Sequence, residues 1–210
     1  GAASEMSVGD TISIGRDSGS AGTVNIGDNP VTTGTVETGG TVRTHTIFMS
    51  ASENTSSTIN VSGAAASLIV EGQAPRSGFP GALDGAVIDV GLNGTAVLNI
   101  TGGATVKVAP GLVVGDGLSG GLVVGGKSSN PIGTGDGVVN VDGVGSTLTF
   151  SNEYGQAGFS QIGRDGTGVL NITNGGVVDS SDQLIASVGR KVGGNGTVNV
   201  TGTGSEWRAA

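Results

Sequence analysis

The chain has 210 residues, a formal net charge of −8 from 17 acidic and 9 basic side chains, 43 glycines and no cysteine. Nine scattered cations cannot build the basic face that phosphate backbones or anionic membranes require, so nucleic acid and lipid surfaces are poor partners. Without cysteine there is no thiol chemistry, no disulfide and no zinc–thiolate site.

Glycine at this level lacks the strict triplet period of collagen, and apolar residues recur in tight β-branched clusters that a disordered chain would not carry. Aromatics make up only 3% of the chain, so the core is expected to be thin and aliphatic. No apolar run approaches the roughly 20 residues of a spanning helix. The opening GAASEMSVGD has no signal-peptide pattern and reads as the start of a mature fragment. Absence of cysteine also suits a chain that crosses a periplasm and outer membrane unfolded.

In chain order, the first element is a short strand ending in aliphatic-Gly, SIG at Ser13–Gly15. A second follows around Asn25, an asparagine between two aliphatic residues. That motif returns at Asn60, Asn99, Asn140, Asn171 and Asn199, at intervals of 35, 39, 41, 31 and 28 residues. A fixed motif at irregular spacing implies a constant unit with variable insertions. The aliphatic-Gly strand returns as DVG (Asp89–Gly91), QIG (Gln161–Gly163) and SVG (Ser187–Gly189). A third strand follows each Asn strand after a Gly-rich turn: TVKV (Thr105–Val108), STLTF (Ser146–Phe150) and GVVD (Gly176–Asp179). Alternation in Val139-Asn140-Val141 places the valines inside and the asparagine outside, where successive asparagines could stack as a ladder.

No window shows helical periodicity, and glycine interrupts every candidate. Three strands per unit with glycine at the corners predict an all-β fold: a right-handed parallel β-helix of about six irregular coils, one domain over residues 1–210. The rival is an antiparallel sandwich, which predicts two-residue hairpins and no similarity between units. Three stretches break the pattern: Asn29–Gly40, EGQAPRSGFPGALDG (Glu71–Gly85) and GKSSNPIGTGDG (Gly126–Gly137). They read as loops leaving the rod, where specificity usually sits, and Arg76, Phe79, Lys127 and Asn130 are the contact candidates.

Candidate chemistry is sparse. His45, the only histidine, lies in VRTHTIF (Val42–Phe48) and reads as an outward strand residue rather than a triad member. Asp179 and Asp182 could be the paired carboxylates of a glycoside hydrolase, but Asp and Ser there are also ordinary turn formers. Ile14–Asp17 and Ile162–Asp165 both read IGRD, with VGRK at Val188–Lys191. These lack the nine-residue spacing of calcium rolls; the Gly should turn a corner, with Arg and Asp outside and pairing between coils. The Asn-x-Ser/Thr sequons, such as Asn99–Thr101, are by-products of the strand pattern. No catalytic residue, cofactor or metal site is expected. Trp207, the sole tryptophan, should cover the end of a coil or pack on the next.

The run GNGTVNVTGTGSEW (Gly194–Trp207) resembles the repeat shared by autotransporter (type V secretion) passenger domains and some PEP-CTERM surface proteins, and VVNVDGVGSTL (Val138–Leu148) resembles it without the Trp. The resemblance implies a bacterial β-helical passenger, carried to the cell surface by a C-terminal membrane barrel outside this chain, and then displayed or released. It implies non-enzymatic binding of host cells, matrix or a host receptor, whether protein or glycan. The alternatives are a soluble effector that signals through a host receptor, a stalk that only spaces a distal domain, and a β-helical enzyme acting on polysaccharides. Unpaired strands at the ends of such a rod could also associate end to end.

Overall fold

The computed structural model describes residues 4–27, 39–72, 86–109, 120–126, 135–151, 158–183 and 185–209. Its strands follow one another around a three-sided coil. The first coil is Ser4–Ser7 (β1), Thr11–Ile14 (β2) and Ala21–Gly27 (β3). The second is Gly40–Thr44 (β4), Thr46–Met49 (β5) and Ser56–Ser62 (β6). The third is Ser67–Glu71 (β7), Val87–Val90 (β8) and Thr95–Thr101 (β9). The fourth is Thr105–Ala109 (β10), Gly121–Val124 (β11) and Asp136–Asp142 (β12). The fifth is Thr147–Phe150 (β13), Phe159–Ile162 (β14) and Thr167–Thr173 (β15). The sixth is Val177–Ser180 (β16), Ile185–Val188 (β17) and Asn195–Thr201 (β18), and Glu206–Ala209 (β19) starts a seventh turn.

Every third strand pairs in parallel, which makes three sheets: A (β1, β4, β7, β10, β13, β16, β19), B (β2, β5, β8, β11, β14, β17) and C (β3, β6, β9, β12, β15, β18). This is a parallel β-helix of six full coils. At about 4.8 Å per coil the rod is roughly 30 Å long. The unit read from the sequence maps onto it directly: the aliphatic-Gly strand belongs to sheet B, the Asn strand to sheet C and the third strand to sheet A.

The core is a stack of inward aliphatic rows. In the third coil Leu68, Val70, Ile88, Val90, Leu98 and Ile100 are all essentially inaccessible. Burying six such side chains contributes roughly 9–18 kcal/mol as an upper bound. That dwarfs any single polar contact, so the fold rests on this stack. The rows thin toward the sixth coil. The row Ile12, Ile47, Ile88, Leu122 continues as Ser160 and Ala186. Ser160 Oγ–H donates to Gln183 Oε1 at 2.6 Å, both residues being buried. Trp207 continues the inward row of Leu148 and Val178 and packs against the core, its indole N–H donating to the buried Ser180 Oγ at 3.1 Å.

The corners from sheet B to sheet C explain much of the glycine. Gly125 takes φ +70°, and a Cβ there would lie 2.0 Å from the Thr167 carbonyl oxygen of the next coil. In the second coil a serine pair replaces the glycines. Ser50 holds φ 57°, its hydroxyl donating to the Thr95 carbonyl at 2.6 Å, while the Ser57 hydroxyl donates to the Ile14 carbonyl at 2.8 Å. Several boundaries differ from the sequence reading. Gly40 opens β4, Glu71 closes β7, and Asp136 and Gly137 open β12, so four positions assigned to loops are strand. The backbone ladder continues there because coil-to-coil pairing outweighs the local glycine and acidic composition.

Candidate functional site

The three outer surfaces of the rod differ. On sheet B the outward row runs Ser13, Phe48, Asp89, Val123, Gln161 and Ser187 in register. Its middle members Asp89, Val123 and Gln161 are buried, so the central strands of this sheet are covered on both faces. This explains the unbroken apolar run Gly121–Val124, which carries no alternation.

Sheet A presents charge near both ends. Arg43 bridges Glu5 at 3.0 Å and Glu71 at 2.9 Å, and Arg208 bridges Asp179 at 3.2 Å and Glu206 at 2.7 Å. All six groups are at least partly exposed, so solvent screens these bridges and they add little to stability.

Sheet C has the longest strands, seven residues each, and its outer side is accessible along its whole length. Period-two alternation sets four outward rows. The first is Ala21, Ser56, Thr95, Asp136, Thr167 and Asn195; the second is Thr23, Thr58, Val97, Val138, Val169 and Thr197. The third is the asparagine row, and the fourth runs Gly27, Ser62, Thr101, Asp142, Thr173 and Thr201. Asn25, Asn60, Asn99, Asn140, Asn171 and Asn199 form one continuous ladder, each Nδ2–H donating to the Oδ1 of the preceding coil at 2.8 Å. Five identical bonds give the ladder a single direction along the rod.

Asp142 anchors the edge of this face. Thr173 Oγ1–H and Asn174 Nδ2–H donate to its Oδ1 at 2.5 and 2.7 Å. The Thr173 bond first, then the Asn174 bond, hold its carboxyl below the usual carboxylate range. Asn174 reaches it from a left-handed turn, φ 53°, a conformation asparagine tolerates.

The other sequence candidates lie apart from this face. Arg76, Phe79, Lys127 and Asn130 lie outside the described residues. His45 is not an outward strand residue as expected: it occupies the one-residue corner between β4 and β5, half-buried, with Nδ1 2.5 Å from the Glu71 carbonyl oxygen. The strand alternation ends at Thr44, whose side chain turns inward in register with Val70. Asp179, the next-to-last residue of β16, accepts from the Ser181 hydroxyl at 2.6 Å, and this bond, more than Arg208, lowers its pKa. Asp182 is exposed in the turn beyond.

The two IGRD corners also differ from each other. Arg16 and Asp17 are exposed, whereas Asp165 is buried and Arg164 Nε lies 3.4 Å from its Oδ2. At this corner the arginine and aspartate of the motif contact each other as chain neighbours. Among the described residues no group of three or more His, Asp or Glu side chains is arranged to hold a metal. The sheet C face was half-visible in the sequence. The asparagine row was legible; the neighbouring valine and threonine rows emerge only once the register is known. No protein-family model, curated protein or solved structure matches the chain.

Proposed function

We propose that this chain is part of a bacterial autotransporter-type passenger, displayed at or released from the cell surface, that acts without chemistry by binding host cells, matrix or a host receptor. The observation that carries the reading is the accessible outer side of sheet C, where the same polar side chains recur from coil to coil. A stiff rod that repeats one weak contact at fixed spacing gains avidity without any strong individual contact. The repeat at Gly194–Trp207, which resembles surface-exported passengers, supports the export half of the reading. The segments holding Arg76, Phe79, Lys127 and Asn130 are a second contact set.

The test is binding of the labelled, intact chain to cultured mammalian cells, with unlabelled chain as competitor. The expected result is saturable, displaceable binding. A variant with residues 73–85 and 127–134 replaced by Gly-Ser turns separates the two contact sets: retained binding assigns the contact to the rod, lost binding to the segments. A folded chain that shows no saturable binding overturns the reading.

A further inference from the structure

The outer side of sheet C narrows the class of ligand. Six strands at about 4.8 Å and seven residues at about 3.3 Å give a flat footprint of roughly 670 Å². A standard protein interface takes about 800 Å² per partner, so this face alone sits at the lower end of that range. Its only formal charges are Asp136 and Asp142, and it carries no cation. Two carboxylates with no cation oppose phosphate, sulfate and uronate ligands. Neither of the other faces is comparable: sheet B is covered at its centre, and sheet A carries ion-pair clusters toward both ends.

The middle of the face has two kinds of surface side by side. Val97, Val138 and Val169 form a short apolar stripe, half-buried and in register. On one side lie the Thr95 and Thr167 hydroxyls with the Asp136 carboxylate between them; on the other lies the amide ladder. Each inner asparagine spends one amide hydrogen and one oxygen lone pair on its neighbours. A primary amide has two of each, so a second donor and a second acceptor remain on every rung. The stripe is thus flanked by donors and acceptors repeating at about 4.8 Å along the rod.

We propose that this face binds a neutral, extended, β-linked polysaccharide lying along the rod axis. Sugar rings present apolar C–H faces to the valine stripe, and their equatorial hydroxyls meet the Asn amides and Thr hydroxyls on either side. Each sugar of such a chain spans about one coil and neighbouring sugars present opposite ring faces, so like contacts recur at every second coil. Each contact is weak, and a polymer crossing several coils combines them. The inference rests on the binding reading above and names its ligand.

The test is retention of the intact, labelled chain on microcrystalline cellulose and on chitin, with granular starch and heparin beads alongside. The variant combines Val97→Thr, Val138→Thr and Val169→Thr. Threonine already occupies this row at Thr23, Thr58 and Thr197, so the fold tolerates it. The expected result is saturable retention on cellulose or chitin, insensitive to added salt, at least tenfold weaker in the variant, and absent on starch and heparin. Should the variant melt early, shifts of the Asn side-chain amide resonances on adding cellohexaose or chitohexaose to the wild-type chain answer the same question. Retention on heparin alone, retention equal in wild type and a folded variant, or no retention with no amide shift each overturns the inference. Saturable cell binding without polysaccharide binding sinks this inference and leaves the binding rod standing; loss of both sinks both.

Discussion

At the scale of single residues, the rod depends on positions that pure composition does not distinguish. With 43 glycines in the chain, the sequence alone does not say which of them are indispensable. Gly125 is one: its left-handed backbone costs a side chain about 1–2 kcal/mol, and the Thr167 carbonyl leaves no room for a Cβ. Gly125→Ala should therefore destabilise by more than about 2 kcal/mol, with overpacking added to strain, read as a drop in the urea midpoint. An unchanged midpoint would show that the corner relaxes. Ser50 occupies an equivalent corner in the left-handed region, held by its hydroxyl bond to Thr95. Ser50→Ala keeps the strain and loses the bond, at a cost of about 1 kcal/mol. Asp142 gives a pH signature. Its pKa is lowered in the fold, so its contribution is present above the ordinary carboxyl range and is lost as pH falls through the lowered value. The stability gap between wild type and Asp142→Asn should shrink as urea midpoints are followed from about pH 7 down to about pH 2. A gap constant across that range contradicts the assignment.

At the scale of elements, the strands were legible because the Asn motif marks every strand of sheet C and the aliphatic-Gly ending marks sheet B at β2, β8, β14 and β17. Asn140 shows what the motif does. Its aliphatic neighbours Val139 and Val141 are buried and hold the coil, while its amide bonds to Asn99 and Asn171 fix the register of three coils. A slip by one residue would send the valines outward and break the ladder at once. Asn140→Ala should cost about 1–3 kcal/mol for two partly exposed bonds. Asn140→Asp should cost more at neutral pH, because a carboxylate cannot donate to Asn99 Oδ1. Protonation restores a donor, so the folded pKa of this introduced acid lies above its unfolded value; stability is full below the unfolded pKa and falls as pH rises through the folded one. A variant no more stable in mild acid than at neutral pH would refute the ladder's role. Less legible were the ends of the strands and the corners. The one-residue corner at His45 looked like continuous strand because alternation runs up to it, and the burial of Asp165 depends on packing that the repeated IGRD motif does not encode. The face of sheet C was readable only in part for the same reason: which threonine lies beside which valine is set by inter-coil register across insertions of unequal length.

At the scale of the whole molecule, three sheets wound from one repeat end with three different surfaces: one covered at its centre, one carrying ion pairs toward both ends and one ruled with polar rows, two carboxylates and no cation among them, around a valine stripe. The aliphatic stack supplies the stability, the ladder supplies the register, and the ruled surface is what remains free to meet a partner. The measurement that tests this division most directly is saturation binding to cultured cells by wild type and by the V97T/V138T/V169T variant, at matched melting temperature. The account predicts saturable binding by the wild type and at least a tenfold loss in the variant, since only the outer side of sheet C has changed. Equal binding by the two chains would contradict it and place the contact elsewhere on the rod.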